Sequence, residues 1–200
     1  MSHPTRDSAR TLASLAQEQG GYFTAKQAQA AGYEYPKLVY HVTAGNFDRV
    51  EHGLYRLPTV PPSEHDELIR LTLWSRNQKD QPQAVVSHQS ALVLHDLSEL
   101  LPGEIHLTVP SKFRKVPPSG CILHKATLSD REVEDRAGFR VTNPLRTLVD
   151  AAEGDVTQEQ LEKSVNDALS RGLVRRKPLE AAAKNSERLS RALGGKRLKR

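Results

Sequence analysis

Between Thr24 and Pro58 the chain concentrates side chains suited to a polyanion. Lys26, Lys37, Arg49 and Arg56 carry charge for phosphates; Thr24, Tyr35, Tyr40, Thr43 and His52 offer hydroxyls and rings for hydrogen bonds or stacking. Cations of this kind position a protein on a nucleic-acid backbone, and polar groups beside them reach base edges. That chemistry requires one helix and one hairpin to present these residues together.

The stretch TAKQAQAAGYEYPKLVYHVTAGNFDRVEHGLYRLP has the punctuation to do so. A first helix opens at Thr24, whose hydroxyl can cap a first-turn amide, and stops at Gly32. A second starts near Glu34, tolerates Pro36 in its first turn and ends at Gly45-Asn46. Past Asn46 the period shortens to two, with His52-Gly53 marking a hairpin tip. Helix, turn, helix and hairpin within about 35 residues form the layout of a winged helix-turn-helix.

On the second helix Leu38, Val42 and Gly45 share one face with His41 at its edge, while Lys37, Tyr40 and Thr43 or Ala44 point elsewhere. With that helix in a major groove, Tyr35, Lys37 and Tyr40 reach bases or phosphates, and Arg49 and Arg56 of the wing reach the flanking backbone. A helix-turn-helix used only for protein contact, or a small β-capped bundle, fits the same pattern. Residues 1–58 hold six Lys and Arg against five Asp and Glu, so tight binding to nucleic acid needs a dimer or help from elsewhere.

The elements around this stretch read as its support. Leu12, Leu15 and Ala16 recur at helical spacing over residues 5–19 before Gly20-Gly21, and Phe23 is placed to act as an apolar staple ahead of the Thr24 cap. Thr59-Val60-Pro61-Pro62-Ser63 reads as a linker, because paired prolines neither join a ladder nor continue a helix. Beyond it, Ser63 to Asp66 resembles a capping box, and Ala84–Ser87, 104–110, 120–124 and 138–142 read as strands. Helices are expected after Ser87, after the Asn143-Pro144 start, after the Thr157 capping box and over Leu179–Ala183. Asp130 to Arg136, where acids alternate with arginines, suits an exposed edge or turn. The expected fold class is α+β: a winged helix-turn-helix at 1–58, a linker at 59–63, a mixed α/β domain at 64–185 and a basic, flexible tail at 186–200.

Composition narrows the classes of function. At 200 residues, 37% hydrophobic and 26% charged, the chain has the make-up of a soluble protein with a core. It has no apolar run near membrane-spanning length, and MSHPTRDSAR lacks the apolar core of a signal peptide, so a cytoplasmic location is expected with no membrane partner. A single cysteine, Cys121, excludes an internal disulfide and a multi-cysteine zinc site. The formal charge of +5 is uneven: residues 59–154 are net −2 and residues 155–200 net +6. A basic end suits nucleic acid or an acidic partner, and equally a solvated helix face.

No catalytic or metal constellation emerges, and no cofactor is implied. His88 and His95 are seven apart with no zinc-protease glutamate between them, which makes them structural or partner-facing rather than a chelating pair. A metal-dependent nuclease needs two or more carboxylates and a lysine on adjacent strands. The candidate strands offer Glu104 alone, and Glu162-Lys163 sits on a helix.

Three motifs together resemble one family: the winged front ending in HGLYRLP, then SHQSALVLHDLSELLPGEIHLTVP, then GFRVTNPLRTLVDAA. They look like the AbiEi antitoxins of bacterial AbiE toxin-antitoxin systems, from about residue 8 to about residue 183. The resemblance implies a winged helix that binds inverted repeats in the double-stranded promoter DNA of its own operon and represses it. It also implies an α/β domain that counters a nucleotidyltransferase-like toxin, in a type IV phage-defence system where the two need not form a stable complex. The family pattern falls on His88, Ser90, His95, Asn143, Pro144 and Arg146, with no catalytic role attached. Asp96 stands where many relatives carry glycine after the Leu94-His95 pair. A ligand-responsive transcription regulator without a toxin is the alternative, and a nuclease the more distant one.

Overall fold

The computed structural model describes residues 6–99 and 102–194, so the start of the first helix at residue 5 and the tail beyond residue 194 lie outside the described residues. The chain forms two compact units, residues 1–83 with 135–139, and residues 84–134 with 140–200.

In the first unit α1 (Arg6–Glu18) is followed by β1 (Tyr22–Thr24), α2 (Ala25–Ala30), α3 (Tyr35–Thr43), β2 (Asp48–Glu51) and β3 (Leu54–Arg56). The sequence-based helix boundaries hold. Thr24 caps α2 in a full capping box with Gln27, and Pro36 sits in the first turn of α3. The strand β1 is an addition: Tyr22–Thr24, expected as a staple and cap, also pairs antiparallel with β3, giving a sheet in the order β1-β3-β2. Three residues are too few for a period-two pattern to show. The core gathers Leu12, Ala16, Phe23, Ala28, Leu38, Phe47 and Tyr55. Phe23 holds it together, its ring edge-on to Phe47 at 5.0 Å and stacked on Tyr55 at 5.7 Å.

The loop at Thr59–Ser63 leads to α4 (Asp66–Trp74), which belongs to the same compact unit. The expected capping box at Ser63 does not form: His65 is the N-cap of α4, without a side-chain cap bond, and Ser63 donates from its amide and its hydroxyl to Asp66 Oδ1 in the turn ahead of the helix. Asp66 also accepts from the Tyr22 hydroxyl at 3.1 Å, tying α4 to β1.

A five-stranded sheet in the order β6-β5-β4-β8-β7, which lies in the second unit apart from residues 135–139 at the β7–β8 turn, is formed by β4 (Val85–Val86), β5 (Ile105–Val109), β6 (Cys121–Lys125), β7 (Val133–Arg136) and β8 (Phe139–Thr142). β4 runs antiparallel to β5 and parallel to β8, and β5 runs parallel to β6. The helices α5 (His88–Leu94), α6 (Pro144–Glu153), α7 (Gln158–Ser170) and α8 (Arg176–Ala183) supply most of the core through Leu92, Leu148, Leu161, Val165 and Leu179. Asn143 and Thr157 cap α6 and α7 as the sequence indicates. The flexible tail expected from residue 186 is corrected at its start. Ser186 caps a further helix, α9 (Glu187–Ala192), whose Leu189 is fully buried. One apolar side chain per turn is enough to dock a short helix, although the surrounding sequence reads as polar and basic.

Two features of this unit have measurable consequences. Asp96 has φ +55, a left-handed conformation that glycine adopts without strain. Asp96→Gly is expected to change stability by less than about 1 kcal/mol, read as melting temperature, because relief of the left-handed backbone is offset by a freer unfolded chain and by loss of the exposed Arg171–Asp96 ion pair at 3.8 Å; the bonds of Arg171 to the carbonyls of residues 95 and 96 are kept.

The second feature is a stack of three imidazoles. His88 lies on His124 with ring centroids 3.5 Å apart, and His106 Nδ1 meets His124 Nε2 at 3.0 Å. Thr108 donates to Ser87 Oγ, and the Ser87 hydroxyl lies 2.9 Å from His88 Nδ1, where it can donate its own proton when the ring is neutral. Burial, with His124, His106 and Arg146 close by, pulls His88 down to about 3. Burial also lowers His106 and His124, against the opposing pull of Asp155 on both and of Glu104 on His106. A folded value below the ordinary 6.5 means that the unfolded chain takes up the proton first, so stability falls as pH drops from 6.5 toward 3. The loss from His88 alone is about 2 kcal/mol between about pH 7.5 and about pH 5. Melting curves across that range test this. His88→Asn, which accepts the positive φ of +52 at this position, should flatten the dependence.

Candidate nucleic-acid interface

The inner side of α3 is fixed by Leu38, fully buried, and by His41, whose ring stacks on Phe47 at 4.9 Å and bonds the Asn46 amide. Burial lowers the pKa of His41, so the ring stays neutral as an aromatic spacer at the foot of the hairpin. The opposite side is open. Tyr35 is 61% exposed, Val39 48% and Tyr40 67%, and Pro36, Thr43 and Ala44 are also exposed. These positions repeat at one, four and five residues from Tyr35, which places them on one continuous face. Val39 is a residue that the sequence reading passed over, although its spacing of four from Tyr35 was the available signal.

The candidate residues divide by what they already touch. Thr24 is occupied as the α2 cap, its oxygen accepting from the Gln27 amide. Arg56 is half-buried, donates to the Val60 carbonyl at 2.5 Å and lies over the Tyr22 ring at 5.5 Å. Both hold local structure. Lys26 is exposed near the start of α2, with Nζ 3.3 Å from the Gln78 carbonyl. Lys37 is half-buried on the flank of α3, and the Thr43 hydroxyl bonds back to the Val39 carbonyl. On the wing Arg49 and His52 are exposed, His52 at the tip beside Gly53, whose φ of +76 makes the turn.

The wing also carries acid that would repel phosphate, Asp48 and Glu51. Glu51 is paired with Arg70 of α4, and that bond raises the arginine's pKa further. Arg70 therefore offsets one of the two acidic charges on β2. Nothing in the sequence announces this pair, because its members are distant and the helix that carries Arg70 reads as part of another domain.

In the second unit the polar residues singled out by sequence converge on structure. Asn143 caps α6 through the Arg146 amide, and Arg146 reaches Asp150 Oδ1 at 2.7 Å and Glu132 Oε1 at 2.8 Å. Burial works against charge on Glu132, but bonds from Ser129 and Arg146 outweigh it and hold the carboxyl down at about 2. Burial pushes Asp150 up to about 6 against the pull of Arg146, and its Oδ2 has no hydrogen-bond donor among the described residues. His95 donates from Nε2 to the Thr142 carbonyl, and Ser90 accepts from the His106 amide. The imidazole stack was not legible in sequence, since only the β5–β6 register and the fold of α5 bring His106, His124 and His88 together. Its rings lie nearly parallel, and among the described residues no group of three His, Cys, Asp or Glu is arranged to hold a metal ion. No helix among the described residues is long and apolar enough to cross a membrane.

Residues 10–58 match the model of the AbiEi_4 family, described as "Transcriptional regulator, AbiEi antitoxin". No curated protein matches the chain. Among solved structures, the RV2827C protein from Mycobacterium tuberculosis is similar with a TM-score of 0.58 at 15% sequence identity, over 96% of this chain and 78% of that one. Identity at that level speaks for the fold alone, a mixed α+β architecture. The matched segment runs from α1 through the wing, and over it the chain is similar to the AbiEi antitoxin transcriptional regulators.

Proposed function

We propose that the first unit binds double-stranded DNA in the promoter of its own operon, at inverted repeats, and represses transcription there. The exposed face of α3 beside a two-stranded wing carries this reading: α3 enters the major groove, and Arg49 and His52 lie along the flanking backbone. Lys37 contacts phosphate from the flank of α3, with Lys26 as a further backbone contact. The near balance of charge in residues 1–58 argues for two copies on one operator, since a single module with few phosphate contacts binds weakly at physiological salt. In the same reading the protein acts in the cytoplasm as a type IV antitoxin. Its second unit counters a nucleotidyltransferase-like toxin without requiring a stable complex, and the protein itself performs no catalysis.

A gel-shift titration of the full chain on the DNA upstream of its gene tests the DNA contact. Lys37→Ala and Arg49→Ala should weaken binding about equally on all sequences and reduce the salt slope by about one each. Arg56→Ala should instead lower the melting temperature, because its guanidinium bonds Val60 within the first unit. A folded chain that shifts no DNA selectively would refute the repressor. Failure of the chain to rescue growth against the toxin encoded beside it would refute the antitoxin role separately.

A further inference from the structure

We infer that α3 reads its DNA site chiefly through the C5-methyl groups of thymine, with Val39 as the residue that sets this preference. The inference rests on the DNA-binding reading above and goes beyond it by naming what is read.

The argument is one of chemical elimination on a defined face. Direct readout in the major groove pairs arginine or lysine with guanine, asparagine or glutamine with adenine, and carboxylates with cytosine, whereas apolar side chains match the thymine methyl. The exposed face of α3 consists of Tyr35, Pro36, Val39, Tyr40, Thr43 and Ala44. None of these is a bidentate donor or a carboxylate. Lys37 is half-buried to the side, and His41 faces inward against Phe47 with Nδ1 engaged by Asn46. Thr43 has its hydroxyl on the Val39 carbonyl at 3.0 Å, which leaves its methyl as the group to present.

Val39 sits at the middle of this face, one turn from Tyr35 and one turn from Thr43. It is β-branched and therefore stiff at χ1, and at 48% exposed it presents its methyls to solvent. The tyrosines flank it and have hydroxyls able to reach phosphates on either side of the groove, so the rings fix the depth at which Val39 meets the base edges. An exposed apolar face can also cover a second protein. Duplex DNA is favoured here because cations border the face on α3 and on the wing, and because Glu51, the acid nearest the wing tip, is neutralised by Arg70.

The test uses the full chain and a library of random duplexes, from which bound sequences are enriched. The enriched site is then remade with deoxyuridine at one thymine at a time, which removes the C5-methyl and leaves base pairing intact. The expected site has neighbouring T·A pairs in each repeat, and at least one deoxyuridine weakens binding about fourfold, equivalent to about 0.8 kcal/mol for one buried methyl. Val39→Ala, at a position open enough to leave the fold unchanged, should bind the thymine and deoxyuridine sites with equal affinity. Lys37→Ala should bind both more weakly while keeping the difference between them. Selective binding that is indifferent to every deoxyuridine, or an enriched site read at G·C pairs, would overturn the inference and leave DNA binding intact. No enrichment by a folded chain would remove both.

Discussion

The packing of Phe23 is the constraint on which the first unit depends. Its ring is fully buried between Phe47 at the start of the hairpin and Tyr55 on β3, and its backbone is the middle of β1. One residue thus joins the sheet ladder and the hairpin to the cap of α2, Thr24, which follows it directly. Burying a phenylalanine is worth about 2–3 kcal/mol by area alone, more than the capping bonds beside it contribute. The consequence reaches α3. Tyr33, His41 and Phe47 pack ring to ring at 4.9–5.6 Å, so the hairpin fixes the rotation of α3 and decides which of its side chains face outward.

The second unit solves a different problem, a sheet with mixed strand directions and a polar patch in its interior. Parallel β5 and β6 are joined by a loop in place of a helix, and Phe113 buries itself there to anchor it. Around the end of α6, Arg146 binds two carboxylates at once, and the imidazole stack beside it stays neutral. A buried cation is tolerated where both partners are hydrogen-bonded to it. A second positive charge close by is then costly, which is one reason that His88 titrates so low.

Much of this was legible in sequence because it is local. Thr24, Asn143 and Thr157 cap their helices through bonds to amides three residues ahead, and glycines at 32 and 45 end two of them; such signals need no tertiary context. What escaped is non-local. β1 is defined only by its partner β3, the Glu51–Arg70 pair joins a wing to a helix on the far side of the paired prolines, and the histidine stack depends on strand register. Site residues followed the same division. Tyr35, Tyr40, Arg49 and His52 are outward because helix and hairpin periods say so, whereas Arg56 sits in the same hairpin and is turned to Val60 and Tyr22 by its neighbours. Sequence reports that a cation is present, and only packing reports whether it is engaged.

Under the proposed DNA-binding role, the small net charge of the first unit has a physical reading beyond weak affinity. Binding dominated by counterion release is strong and indifferent to sequence, because every duplex offers the same phosphates. A module with few cations and an apolar recognition face loses much of that non-specific term while keeping the groups that distinguish one base pair from another. Its discrimination therefore rises as its affinity falls, and pairing two modules on repeated half-sites restores affinity without restoring indifference, since both faces must match at once. The proposed repressor of one promoter among many competing sites would gain from that combination. In that reading the Glu51–Arg70 pair lowers repulsion at the wing without adding attraction to every duplex.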